Sequence, residues 1–128
     1  MQRHEMIEAM RGLGLRGMAG AFDEAVTTGL QRKRTTHEIL TDLLRAEAAH
    51  RHAASIRYLI DNAAKLGFDP TRIVIMGHSS GAQLAAYLAI DERPLKAEGL
   101  SLSIFKGCVP VDADTFDITA VKIGRASC

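Results

Sequence analysis

An α/β fold is predicted for this chain of 128 residues: helices through about residue 60, then one strand–helix–strand unit carrying a small parallel sheet. Two observations predict it. Apolar residues in the first half recur at helical spacing, whereas the second half holds β-branched runs punctuated by Gly and Pro. In the second half, Arg72-Ile73-Val74-Ile75-Met76 runs directly into Gly77-His78-Ser79-Ser80-Gly81 and then into the helix-forming Ala82-Gln83-Leu84-Ala85-Ala86-Tyr87-Leu88-Ala89-Ile90.

The elements follow in order. Met6, Ile7, Met10 and Leu13 share one face of a short first helix, weakened by Gly12, Gly14 and Gly17. Met18, Ala21, Phe22, Ala25 and Val26 form a second apolar stripe, which Gly29 is expected to end. After the basic turn Gln31-Arg32-Lys33-Arg34, Thr35 and Glu38 have the spacing of a capping box. The third helix they open is expected to bury Ile39, Leu40, Leu43, Leu44, Ala46, Ala53, Ile56, Leu59 and Ile60, with Arg45, Glu47, His50, Arg51, His52 and Arg57 on a solvated face. Beyond it come a strand at 72–76, a helix from about 80 to 91 and a strand at 105–111, the two strands parallel.

Composition narrows the class. Hydrophobic residues make up 47% and charged residues 24%, the balance of a folded globular protein. No apolar run approaches the ~18 residues of a membrane span, so no membrane partner is expected; the amino terminus lacks the apolar core of a signal peptide, and a cytoplasmic location is expected. The net charge is +1, too small to argue by itself for nucleic acid. Cys108 and Cys128 have neither disulfide-framework nor metal-ligand spacing, and read as a buried thiol and a tail thiol. No cofactor and no metal are expected.

The segment 77–81 carries the chemistry. A serine at a sharp strand-to-helix corner is held in a backbone conformation that only small neighbours permit. Gly77 and Gly81 are expected to leave room on either side, so that the Ser79 hydroxyl projects above the sheet. The N–H of Ser80, at the start of the next helix, is then aimed where an oxyanion would form. Ser79 reads as a nucleophile, and the ring of His78, adjacent to it in the turn, is expected to point away from the hydroxyl.

Two resemblances extend this reading. Residues 61–118 include the F-D-P-x-R-I lead-in, the G-H-S-S-G corner, the D-E-R-x-L-K-A-x-G-L loop and a K-G-x-V-P-x-D strand, and they resemble the middle of an α/β-hydrolase of the esterase/lipase type. The resemblance implies a partial hydrolase unit in residues 61–128, Ser79 as acyl-accepting nucleophile, the Ser80 amide as one oxyanion donor and a small ester as substrate. Residues 4–60 include L-G-L-R-G-M-A-G-A-F-D-E, T-H-E-I-L-T-D-L-L and A-E-A-A-H-R-H-A-A-S-I-R-Y-L-I. They resemble the helical amino-terminal region of IstB-like transposition helper ATPases, which implies DNA or a transposase as partner for a domain spanning residues 1–60. The chain contains no G-x-x-x-x-G-K-[ST] loop, so no ATP site is expected.

A nucleophilic serine also needs a base, an acid to orient the base, and a second oxyanion donor. No histidine follows Ser79, and no H-G-G-type loop precedes it. Asp112, Asp114 and Asp117 follow, of which Asp112, at the end of the last predicted strand, is the possible acid. The expectation is therefore an incomplete site with little or no turnover. Because one βαβ unit leaves strand edges uncovered, self-association through an exposed edge is also expected.

Overall fold

The computed structural model describes residues 1–112, and these fall into two units, one from Met1 to His52 and one from Ala53 onward. Asp114, Asp117 and Cys128, together with the carboxy-terminal residues 119–128, lie outside the described residues.

The first unit is helical. Helix α1 (Arg3–Gly12) opens with a capping box, the Gln2 N–H donating to Glu5 at 2.5 Å. It closes through Gly14, whose φ of 76° is the left-handed conformation glycine adopts without a Cβ penalty. Leu13 is therefore past the helix end and exposed, a correction to its expected place on the apolar face. Helix α2 (Arg16–Gln31) half-buries Met18, Ala21, Phe22, Ala25 and Val26, the predicted stripe, and an Arg3–Asp23 ion pair ties it to α1. Gly29 does not end α2. It lies inside the helix and is buried, and a Cβ there would meet the Ile39 side chain at 2.5 Å, so its role is close packing.

Helix α3 (Thr36–Asp61) begins at the predicted capping box. The Thr35 N–H donates to Glu38 Oε2 at 2.7 Å, and the Glu38 N–H donates to Thr35 Oγ1 at 3.2 Å. Its inward stripe runs through Ile39, Leu43, Ala46 and Ala49, and Leu40 and Leu44, one position round the helix from it, are exposed. Leu59, in the second unit, is exposed as well. Glu47 goes the other way: expected in solvent, it is buried. Its carboxylate accepts the Met18 N–H at 3.0 Å and the Arg51 Nε–H at 2.8 Å. The cap residue of α2, Leu15, has no side-chain acceptor to offer, so a glutamate from α3 performs the capping. Gly17 makes that approach possible, since a Cβ there would lie 2.6 Å from the Ala46 carbonyl oxygen.

The second unit is the α/β part. Helix α4 (Ala63–Leu66) stops at Gly67, φ 78°. In the next turn Asp69 accepts both the Thr71 N–H at 2.8 Å and the Thr71 hydroxyl at 2.6 Å, which holds the Asp69 carboxyl below the usual range. Strand β1 (Ile73–His78) then leads to helix α5 (Ser80–Ile90), helix α6 (Arg93–Ala97), a 3₁₀ turn at Leu102–Ile104 and strand β2 (Phe105–Val111). β1 and β2 are parallel and adjacent, with Val74 beside Gly107, Met76 beside Val109 and His78 beside Val111, after an irregularity between Ile73 and Val74. Helix α5 covers one face of the sheet. Its buried residues are Ala82, Ala85, Ala86 and Leu88, and the three alanines are small enough for the helix backbone to lie close to the strands. The opposite face, with Val74, Met76, Val109 and Val111, is exposed.

Candidate functional site

The corner between β1 and α5 is built as the sequence predicts in outline, with one revision of detail. Ser79 has φ 56° and ψ −119°, a conformation that costs a non-glycine residue about 1–3 kcal/mol and persists only where its surroundings enforce it. The enforcement comes from both sides. The Ser79 N–H is held by the Val111 carbonyl at 3.0 Å, and the chain turns at once into α5, the Ala82 N–H returning to the Ser79 carbonyl at 3.0 Å. Gly77 is indispensable to this turn, because a Cβ there would stand 2.0 Å from the Gly81 carbonyl oxygen and 2.3 Å from its carbon. At Gly81, by contrast, a Cβ would meet nothing within 4 Å. The steric need that the sequence assigns to both glycines falls on Gly77.

Ser79 and Ser80 are exposed at the carboxyl end of β1, where open α/β sheets bind ligands. Among the described residues the Ser79 hydroxyl has no hydrogen-bond partner, and the Ser80 N–H, at the first position of α5, donates to no backbone acceptor. Such an N–H at a helix start is an available donor for negative charge.

Asp112, the possible acid, follows β2 directly and has φ 56°, as Ser79 has after β1. Parallel pairing brings these two strand ends together, and His78 Nε2 stands 3.7 Å from Asp112 Oδ2. Both side chains are more than 70% exposed. At that distance the contact is too long for a hydrogen bond, and at that exposure it is worth roughly 0–1 kcal/mol. Sequence reading names both residues without joining them; the signal was available in the register, since His78 ends one parallel strand and Asp112 follows the other.

At the far end of α5, about 15 Å away at 1.5 Å per residue, the D-E-R loop forms a separate polar cluster. Asp91 accepts the Arg93 N–H at 3.0 Å and pairs with the Arg93 guanidinium at 2.6 Å. Burial works to raise the Asp91 carboxyl, but the bonds from Arg93 and Tyr87 outweigh it and hold the carboxyl below its ordinary value. Burial, with the Asp91 charge beside it, pushes the Tyr87 hydroxyl up. The cluster fixes where α5 ends and α6 begins. Cys108 is buried on β2. Among the described residues no group of three or more His, Cys, Asp or Glu is placed to hold a metal ion, and no helix is long and apolar enough to cross a membrane.

A serine on a strained strand-to-helix corner, at the carboxyl end of a parallel strand, belongs to the α/β-hydrolase class of architecture. The comparison with family models agrees: the model of BD-FAE, an α/β-hydrolase-like esterase family, matches residues 36–121, more than half of the chain, and the chain belongs to that family. The match begins at the start of α3, upstream of residue 61, where the hydrolase resemblance of the sequence begins. The comparisons lend no support to the transposition-helper resemblance of residues 4–60. Comparison with curated proteins gave no match, and comparison with solved structures gave none.

Proposed function

We propose that the β1–α5 corner is the nucleophile end of a serine ester hydrolase, with Ser79 as acyl acceptor, the Ser80 N–H as one oxyanion donor and a small carboxylic ester as substrate. The observation that carries this reading is the strained backbone of Ser79, held between the Val111 carbonyl and the first turn of α5, beside an unengaged helix-start N–H. Family membership supports the same class of reaction.

The same reading includes slow turnover. Attack by Ser79 requires its proton to leave, and no described imidazole or carboxylate bonds its hydroxyl. Loss of the base from a serine triad costs several orders of magnitude in rate, leaving only what oxyanion donors and binding supply. Hydrolysis of p-nitrophenyl acetate by this chain is therefore expected to sit near the buffer rate and to change little in Ser79→Ala. A serine-dependent rate orders of magnitude above buffer would overturn the incompleteness of the site. The role of Ser79 itself is tested by adding free imidazole, which can reach an exposed hydroxyl. The wild type should then exceed Ser79→Ala in the same buffer, and equal rates would remove Ser79 from the chemistry.

A further inference from the structure

The two outer edges of the sheet are not alike, and the difference follows from one bond. The Ser79 N–H donates to the Val111 carbonyl. Since backbone groups alternate sides along a strand, Ile75, Gly77 and Ser79 then face β2, while Val74, Met76 and His78 direct their N–H and C=O groups outward. None of those outward groups is bonded by a described residue. On β2 the outward positions beyond the irregularity are Cys108 and Pro110, so that edge lacks a donor at Pro110, and the charged Lys106 stands at its amino-terminal end. Proline and lysine are the residues that protect an edge against pairing. The β1 edge has neither. From Ile73 to Gly77 it carries no charge, Val74 and Met76 are 57% and 69% exposed, and Ile73 and Ile75 remain half-buried although they face α5.

We infer that the β1 edge pairs with β1 of a second copy of this chain, antiparallel about a two-fold axis, giving a four-stranded sheet in the order β2-β1-β1-β2. The absence of charge favours this occupant, and the extent of the strand selects the register. A neutral strand opposes no like charges when it pairs with itself. Setting Met76 opposite Met76 and Val74 opposite His78 engages every outward group within the strand, whereas a shift placing Val74 opposite Met76 would leave His78 opposite Arg72, outside the strand. In the selected register Val74, Met76, Val109 and Val111 of both copies form one continuous apolar strip on the face that α5 leaves open. Pairing along a single strand edge is a small contact by the standard of stable dimers, so the association is expected to be weak and concentration-dependent.

Sedimentation velocity on the whole chain, from about 1 μM to about 1 mM, tests this. The wild type is expected to pass from monomer to dimer. Met76→Pro deletes an outward N–H while sparing the ladder to β2, and Val74→Lys places charge on the edge; each should raise the dissociation constant at least about tenfold, whereas Lys106→Glu should leave it unchanged. If Met76→Pro loses its circular dichroism signal, the cross-link decides. In a Cys128→Ser background, Met76→Cys should oxidise to a covalent dimer because the two thiols face each other across the axis, and Val74→Cys should not. A chain that stays monomeric throughout, an association indifferent to Met76→Pro and Val74→Lys, or cross-linking at residue 74 in preference to 76 overturns the proposal.

Discussion

Ser79 keeps a backbone conformation disfavoured for any side chain, and the atoms that keep it there are mostly backbone. Gly77 is the permissive residue: the space its Cβ would need is filled by the Gly81 carbonyl, which cannot rotate aside as a flexible side chain could. Gly77→Ala is expected to cost about 3 kcal/mol or more and to move the Ser79 hydroxyl. Gly81→Ala, with open space at its Cβ and a place in the first turn of α5, should be neutral or stabilise by up to about 1 kcal/mol. Urea unfolding midpoints of the two variants check the contrast, and equal losses would mean that both glycines are sterically required. Spacing singles out Ser79, Gly77 and the Ser80 amide as candidates because a G-x-S-x-G between a β-branched run and an alanine-rich run has few other physical uses. It does not reveal which glycine is crowded, since that depends on how tightly the helix returns over the strand.

At the scale of elements, the strands and α5 were legible almost to the residue. β2 spans Phe105–Val111 as expected, and α5 begins at Ser80, because the changes from β-branched residues to glycine to alanine are abrupt there. The capping box of α3 was legible for the same reason, being local. The misreadings at Glu47 and Gly29 share a cause: both residues are defined by a neighbouring helix. Periodicity puts Glu47 beside charged residues, yet the N–H it accepts is on another element, 29 positions away. Those hydrogen bonds outweigh the opposing effect of burial and hold the Glu47 carboxyl below its ordinary value. Its stabilisation is therefore fully present above the unfolded glutamate pKa of about 4.3 and is lost as the pH falls through the folded value. Glu47→Gln is expected to lower stability by about 1–3 kcal/mol at neutral pH. The gap to wild type should narrow as the pH drops below about 4.3, measured by denaturant unfolding across pH. A gap that stays constant over that range would place the contribution in packing instead of charge.

For the whole molecule, the sequence shows that the halves differ in character but places their border at residue 60, where the helical pattern fades. The contacts divide the chain between His52 and Ala53, within the continuous span of α3. Composition does not mark this division, since one continuous helix can run through two packed units without any change in its residues. Proteases favour exposed loop tips over hydrogen-bonded helix backbone. Limited trypsin digestion is therefore expected to cut first at Arg32, Lys33 or Arg34, in the turn between α2 and α3 where Lys33 has φ 52°, before Arg51 or Arg57. Early cleavage at Arg51 or Arg57 would mean that α3 opens near the border. The continuity of α3 also bears on any attempt to obtain the serine corner by itself. A chain begun at Ala53 would start in mid-helix, with its first amides stripped of the carbonyls one turn earlier, so isolating that half requires a new helix start to be engineered as well as a cut site to be chosen.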